Sequence, residues 1–132
     1  MESRIDIASS NLLKLLRQFD VRATFFVLGV VAEEHPDLIR TIYSDGHEIG
    51  VHGYSHRFVR QLTPAQFREE LDRTLQALRR ALGTQIDIAG HRAPYFSMPA
   101  SEDWPYQTLA EAGFRYDSSI FPIRGLLYGE AA

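Results

Sequence analysis

Ala23-Thr24-Phe25-Phe26-Val27-Leu28 is one continuous apolar run, rich in β-formers and without polar alternation. A strand with one wet face alternates, whereas a strand covered on both faces does not. The run therefore predicts a strand of a parallel sheet or barrel, ended by Gly29. On its N-terminal side, Ser9 or Ser10 is placed to cap a helix reaching about Phe19. Leu12, Leu13, Leu16 and Phe19 form the apolar side of that helix, and Lys14 and Arg17 its wet side. On the other side, residues 30–34 read as a short turn of helix. Pro36 then suits the first turn of a helix over 37–44, with Leu38, Ile39 and Ile42 inward. Asp45-Gly46 stops it, and residues 48–52 read as the second strand.

Thr63-Pro64-Ala65-Gln66 is the cleanest helix start in the chain: Thr63 caps, Pro64 takes the first position and Gln66 completes a capping box. Phe67, Leu71, Leu75, Leu78 and Leu82 follow at helical spacing as a core stripe, and Gly83 ends it. Residues 86–89 read as a third strand, 90–96 as the loop after it, 104–112 as a helix and 114–120 as a fourth strand. Helix and strand alternate throughout. That rhythm predicts right-handed crossovers, a parallel sheet and an α/β fold, with one domain over residues 1–132. In such folds sites gather at the carboxyl ends of strands. The segments 54–61 and 90–101 both lie there.

Composition narrows the function. The 132 residues suffice for one core, and 45% are hydrophobic, as in a soluble globular protein. Net charge is -3 with no basic run, which disfavours nucleic acid as a partner. With no Cys there are no disulfides, thiolate ligands or Cys nucleophiles. No stretch approaches a membrane span, and no basic region followed by an apolar one marks a signal peptide at the N-terminus. Phosphate-cradle motifs and a Gly-x-Ser-x-Gly elbow are absent.

Gly46-His47-Glu48-Ile49-Gly50-Val51-His52-Gly53-Tyr54-Ser55-His56 carries the first candidate chemistry. If the corner after His52 makes one helical turn, His52 and His56 lie on the same side of it. Neutral imidazoles so placed can share one divalent ion. They could equally be surface or capping histidines beside a turn. Arg92, in a loop stiffened by Pro94, could clamp a carboxylate or an oxyanion, or pair with a nearby acid on the surface. His91 could reach the same pocket, although a solvent-facing or supporting place suits it better. Tyr95 and Phe96 offer flat faces to a sugar ring or to the core. Asp117 lies inside an apolar strand and needs partners. It could pair with Arg92, orient a His, or cap the local backbone with Ser118 and Ser119. His35 and His47 read as structural.

Taken together, these stretches resemble the polysaccharide deacetylases of carbohydrate esterase family four. Residues 23–29 look like the family's second strand, residues 46–56 like its His-x-x-x-His zinc motif, and Arg92-Ala93-Pro94-Tyr95 like its Arg-x-Pro-Tyr motif. Residues 22–29, 113–119 and 121–124 are similar to phrases of the subgroup associated with bacterial exopolysaccharide export. In that subgroup a Tyr stands where this chain has His91.

The resemblance implies a distorted (β/α) barrel, present here in part with about four strands and four helices. It implies a divalent metal, zinc, and an N-acetylated polysaccharide or oligosaccharide as the partner. His52 and His56 would be metal ligands. Arg92 would hold the catalytic base. Tyr95 would line the site, its backbone helping to hold the oxyanion, and Asp117 would stand behind the ligands.

The family's first motif, a strand with paired acids, has no counterpart, nor has its late Leu-x-His segment. The chain thus looks like the middle of a deacetylase, with the third ligand, the base and the general acid missing. It would be inactive alone, and its open sheet edges invite homo-oligomers. A bacterial protein is implied, cytoplasmic or periplasmic. The alternative is a non-catalytic carbohydrate-binding or structural module on the same scaffold.

Overall fold

In the computed structural model, residues 3–123 are described. Nine regular elements alternate along them, joined in places by single 3-10 turns: α1 (Arg4–Gln18), β1 (Thr24–Val27), α2 (Gly29–Glu34), α3 (Pro36–Ser44), β2 (Glu48–Val51), α4 (Pro64–Leu82), β3 (Gly90–His91), α5 (Trp104–Glu111) and β4 (Tyr116–Asp117). The four strands form one sheet in the order β1-β2-β3-β4, every pairing parallel. This is an α/β scaffold of the partial (β/α)-barrel kind, with β1 and β4 at the edges of the described sheet.

Register decides which side chains meet. Phe26 stands opposite Gly50, Val51 opposite His91, and His91 opposite Asp117. Each ladder runs one rung further: His52 N–H donates to Val27 O, Arg92 N–H to Val51 O, and Ser118 N–H to His91 O, at 2.8–2.9 Å. Residues 51, 91 and 117 therefore face the helices. Residues 52, 92 and 118 face the opposite side, because side chains alternate along a strand. On the helix side, Phe67, Leu71 and Leu78 of α4 and Ile39 of α3 are fully buried beneath Ile49 and Val51.

Several boundaries differ from the sequence expectation. The first helix begins six residues early. Its cap is Ser3, in a capping box with Asp6, rather than Ser9 or Ser10. Of its four apolar residues only Leu13 is buried; Leu12 and Phe19 are exposed. The third strand is Gly90–His91, not 86–89, because its one ladder partner on β2 is Val51. Ile86 and Ile88 pack on the core as irregular chain. The fourth strand shrinks from 114–120 to two residues for the same reason. Arg124 and the rest of the tail lie outside the described residues.

The α4 start is as expected: Thr63 Oγ accepts from Gln66 N–H at 3.2 Å, and Gln66 reaches back to Thr63 N–H at 3.0 Å. Thr63→Ala removes one side of that exchange. It should cost about 1 kcal/mol of unfolding free energy, read from the urea midpoint.

Candidate active site

The two histidines meet, but not through a helical turn. Gly53 takes φ +76°, a conformation that a Cβ disfavours, and the chain then doubles back with His56 itself at φ +62°. The His52 and His56 rings come to 5.1 Å between centres at 61°. Tyr95 and Phe96 also hold positive φ, 57° and 49°. The Tyr95 ring lies 4.6 Å from His56 and stacks flat on Phe58 at 4.2 Å. Three non-glycine residues in the left-handed region, two of them in ring contact, mark a backbone held by its surroundings.

His52 is anchored from the neighbouring strand. Its Nδ1 lies 2.6 Å from the carbonyl oxygen of Arg92. A carbonyl only accepts, so Nδ1 carries the proton and Nε2 keeps its lone pair. Burial, ahead of every other cause, holds the His52 imidazole below its ordinary range. The bond to Arg92 O opposes that shift, and the charges of His56, His91 and Arg92 reinforce it.

Folded His52 thus takes its proton at lower pH than the unfolded chain, whose imidazole titrates near 6.5. Between those two values the unfolded chain binds more protons. This contribution to stability is therefore full above pH 6.5 and is lost as pH falls through it toward the lowered folded value. Urea midpoints at about pH 7.5 and about pH 5.5 should differ, and His52→Gln should narrow the difference. An undiminished difference in the variant would remove His52 as its source.

These donors suit a divalent ion. A metal-binding His typically donates its second nitrogen to a carbonyl or carboxylate, as His52 does. Two imidazoles on one tetrahedral ion, with Zn–N bonds of about 2.0–2.1 Å, stand roughly 5 Å apart centre to centre, matching the observed separation. Among the described residues no group of three or more His, Cys, Asp and Glu side chains gathers to complete such a set.

Among the described residues Arg92 has no acidic hydrogen-bond partner. Its Nε donates to Ser118 O at 2.9 Å and its Nη2 to Ser118 Oγ at 2.6 Å. The guanidinium lies 4.5 Å over the Phe26 ring and 5.5 Å from that of Phe96. Gly50 makes this stack possible, since a Cβ there would lie 2.7 Å from the Phe26 ring. Serine and aromatic contacts thus hold the Arg92 side chain at the strand ends, on the His52 side of the sheet.

Asp117 and His91 stand apart from that cluster. His91 is fully buried rather than solvent-facing. Its Nδ1 meets Asp117 Oδ2 at 2.7 Å. Asp117 also accepts from Ser119 N–H and Ser119 Oγ, so it both orients a His and caps the local backbone, and it does not pair with Arg92. Ser119 Oγ in turn accepts from Ala93 N–H at 2.7 Å, tying the β4 end to the Arg92 loop from behind.

Sequence reasoning passed over Glu70, and named Ser118 only as part of a backbone cap beside Asp117. The hold of Ser118 on Arg92 gave no signal, because it depends on register. Glu70 did give one: it lies on the buried arc of α4, three residues after Phe67 and beside Leu71, where a carboxylate needs partners. A groove of about 580 Å³ runs from Ile5, Leu12 and Leu16 of α1 along β1 to His52, His56 and Arg92.

The polysaccharide deacetylase family profile matches residues 7–116. The chain belongs to the polysaccharide deacetylase family. A peptidoglycan-N-acetylglucosamine deacetylase of Bacillus cereus is 29% identical over 107 residues, covering 81% of this chain and 38% of that protein. A crystallised Mycobacterium smegmatis protein carrying the family name superposes with TM-score 0.76 at 39% identity, over 85% of this chain and 37% of its own. A family 4 carbohydrate esterase from Streptomyces lividans, solved with acetate, gives TM-score 0.74 at 32% identity, over 86% and 55%. The chain thus spans 37–55% of the length of these relatives. No helix among its described residues is long and apolar enough to cross a membrane.

Proposed function

We propose that the chain is the middle portion of a metal-dependent hydrolase that removes N-acetyl groups from an amino-sugar polymer. The observation that carries this reading is the pair at the strand ends, His52 with its Nδ1 spent on Arg92 O and His56 at 5.1 Å. His52 and His56 would hold the ion, and imidazole donors suit zinc among other divalent metals. When bound, such an ion supplies Lewis acidity to the acyl carbonyl and to a water.

The chain's own groups do the rest of what can be assigned. Arg92 presents the free edge of its guanidinium to an acid that serves as base. Tyr95 lines the site, its backbone turned by the left-handed conformation, and its stack with Phe58 gives a sugar ring a flat face. Asp117 acts from behind, through the His91 and Ser119 bonds that fix the ends of β3 and β4.

The third ligand and the base come from chain that would pair along the open edge of β1, beside the groove that ends at the two histidines. Without it, that edge and β4 favour association of copies. Residues 113–119 favour the subgroup associated with exopolysaccharide export.

The test is acetate release from N-acetylglucosamine oligomers by a version extended at both ends. Release is expected from the extended protein and not from its H52A/H56A variant. Equal release from both would take the metal pair out of the reading.

A further inference from the structure

We propose that Glu70 is a positioning residue that sets His56 against His52, a role resting on the reading of those two histidines as a metal pair. Glu70 sits on α4 and is 8% exposed. Its Oε2 accepts from the backbone N–H of Tyr54 at 2.8 Å and of Ser55 at 3.0 Å. Its Oε1 accepts from Ser55 Oγ at 2.8 Å. Successive N–H groups after a left-handed residue form a concavity that suits an anion, and Gly53 provides that residue. The carboxylate therefore binds the corner itself, not a side chain beside it.

The same corner is held from its other side. Gly29 N–H donates to Gly53 O at 3.0 Å and Val30 N–H to Tyr54 O at 3.2 Å, both from the start of α2. The Tyr54 ring lies 3.7 Å beneath the Arg73 guanidinium, and its hydroxyl donates to Glu33 at 2.7 Å. The N–H groups of 54 and 55 point to α4 and their neighbours' carbonyls to α2, so the backbone cannot rotate between them without breaking one set. His56 is the next residue. Its own φ of +62° is disfavoured for a side chain with a Cβ and persists because the corner fixes it. His52 needs no such help, being anchored by β2 and by Arg92 O. Glu70 thus governs the one ligand that the sheet does not place.

Position and charge are separable here. A Gln amide oxygen can accept both N–H bonds, and its NH₂ can donate to Ser55 Oγ. E70Q therefore keeps the corner while removing the charge, whereas E70A leaves two N–H groups without a partner. Zinc affinity, by competition with a chromophoric chelator, should fall roughly ten- to a hundredfold in E70A, the loss typical when a ligand's supporting partner is removed. E70Q should stay near wild type. Wild-type affinity in E70A would overturn the proposal, and so would E70Q as weak as E70A, which would make charge the cause.

The metal-free protein gives a second readout: hydrogen exchange at the Tyr54 and Ser55 amides, and the nuclear Overhauser contact between the His52 and His56 rings. Both should be lost in E70A and kept in E70Q; retention in E70A overturns the proposal. If the wild type binds no zinc, the metal reading fails, and these ring and amide signals alone decide what Glu70 does. If E70A does not fold, E70D carries the test, since it keeps the charge but withdraws the oxygens by one methylene. It should behave as stated for E70A, and wild-type behaviour would overturn the proposal.

Discussion

No acetate release is expected from this 132-residue chain on N-acetylglucosamine oligomers, with or without added zinc or cobalt. Amide hydrolysis needs a nucleophile, a base within hydrogen-bond reach of it and an acid for the departing amine. Among the described residues, the candidate carboxylates are committed elsewhere. Asp117 faces the helix side of the sheet, away from His52, and is bonded to His91 and Ser119. Glu48 lies at the amino end of β2, its oxygens taken by Thr24 and Tyr116. Glu70 spends both oxygens on residues 54 and 55. Asp45 pairs with Arg17 at the far end of the sheet.

The spare imidazole, His91, is fully buried. Among the described residues its Nε2 has no hydrogen-bond partner, yet its ring sits between Phe67 and Phe114 and not in the groove. The comparison is with a version extended at both ends. Activity in the extended form alone supports the deacetylase reading. Equal rates would show that a residue in this chain serves as the base after all. Activity in neither favours the carbohydrate-binding or structural alternative.

In the extended protein, Arg92→Lys should lower turnover by about a hundredfold, the scale on which a misplaced catalytic group costs rate. The guanidinium is fixed by a fork onto Ser118 and by the faces of Phe26 and Phe96. An ammonium is a point charge on a flexible stem and reproduces neither the fork nor the stack. The substitution is informative because the His52 ring is held by the backbone carbonyl of residue 92, which Lys retains. Zinc affinity should therefore stay near wild type while turnover falls. Unchanged turnover would mean that the Arg92 side chain only closes the strand ends.

What the sequence determined by itself follows from local rules. The unalternating run at 23–28, the Thr63 to Gln66 box and the α4 stripe fixed the α/β class, because burial on both faces and helical spacing are written in neighbouring residues. The His52–His56 spacing and the Arg92 loop pointed to one end of the sheet for the same reason. Parallel register was not legible. It pairs residues some 24 to 40 positions apart, and a shift of one residue exchanges the two faces of a strand.

Tertiary structure therefore decided that residues 52, 92 and 118 share a side while 91 and 117 take the other. It decided that Arg92 leans on a serine and two aromatic rings instead of an acid. It also decided how the histidines meet, through left-handed backbone at 53 and 56. A four-residue spacing cannot specify that path, because a carboxylate on a distant helix holds the corner in place.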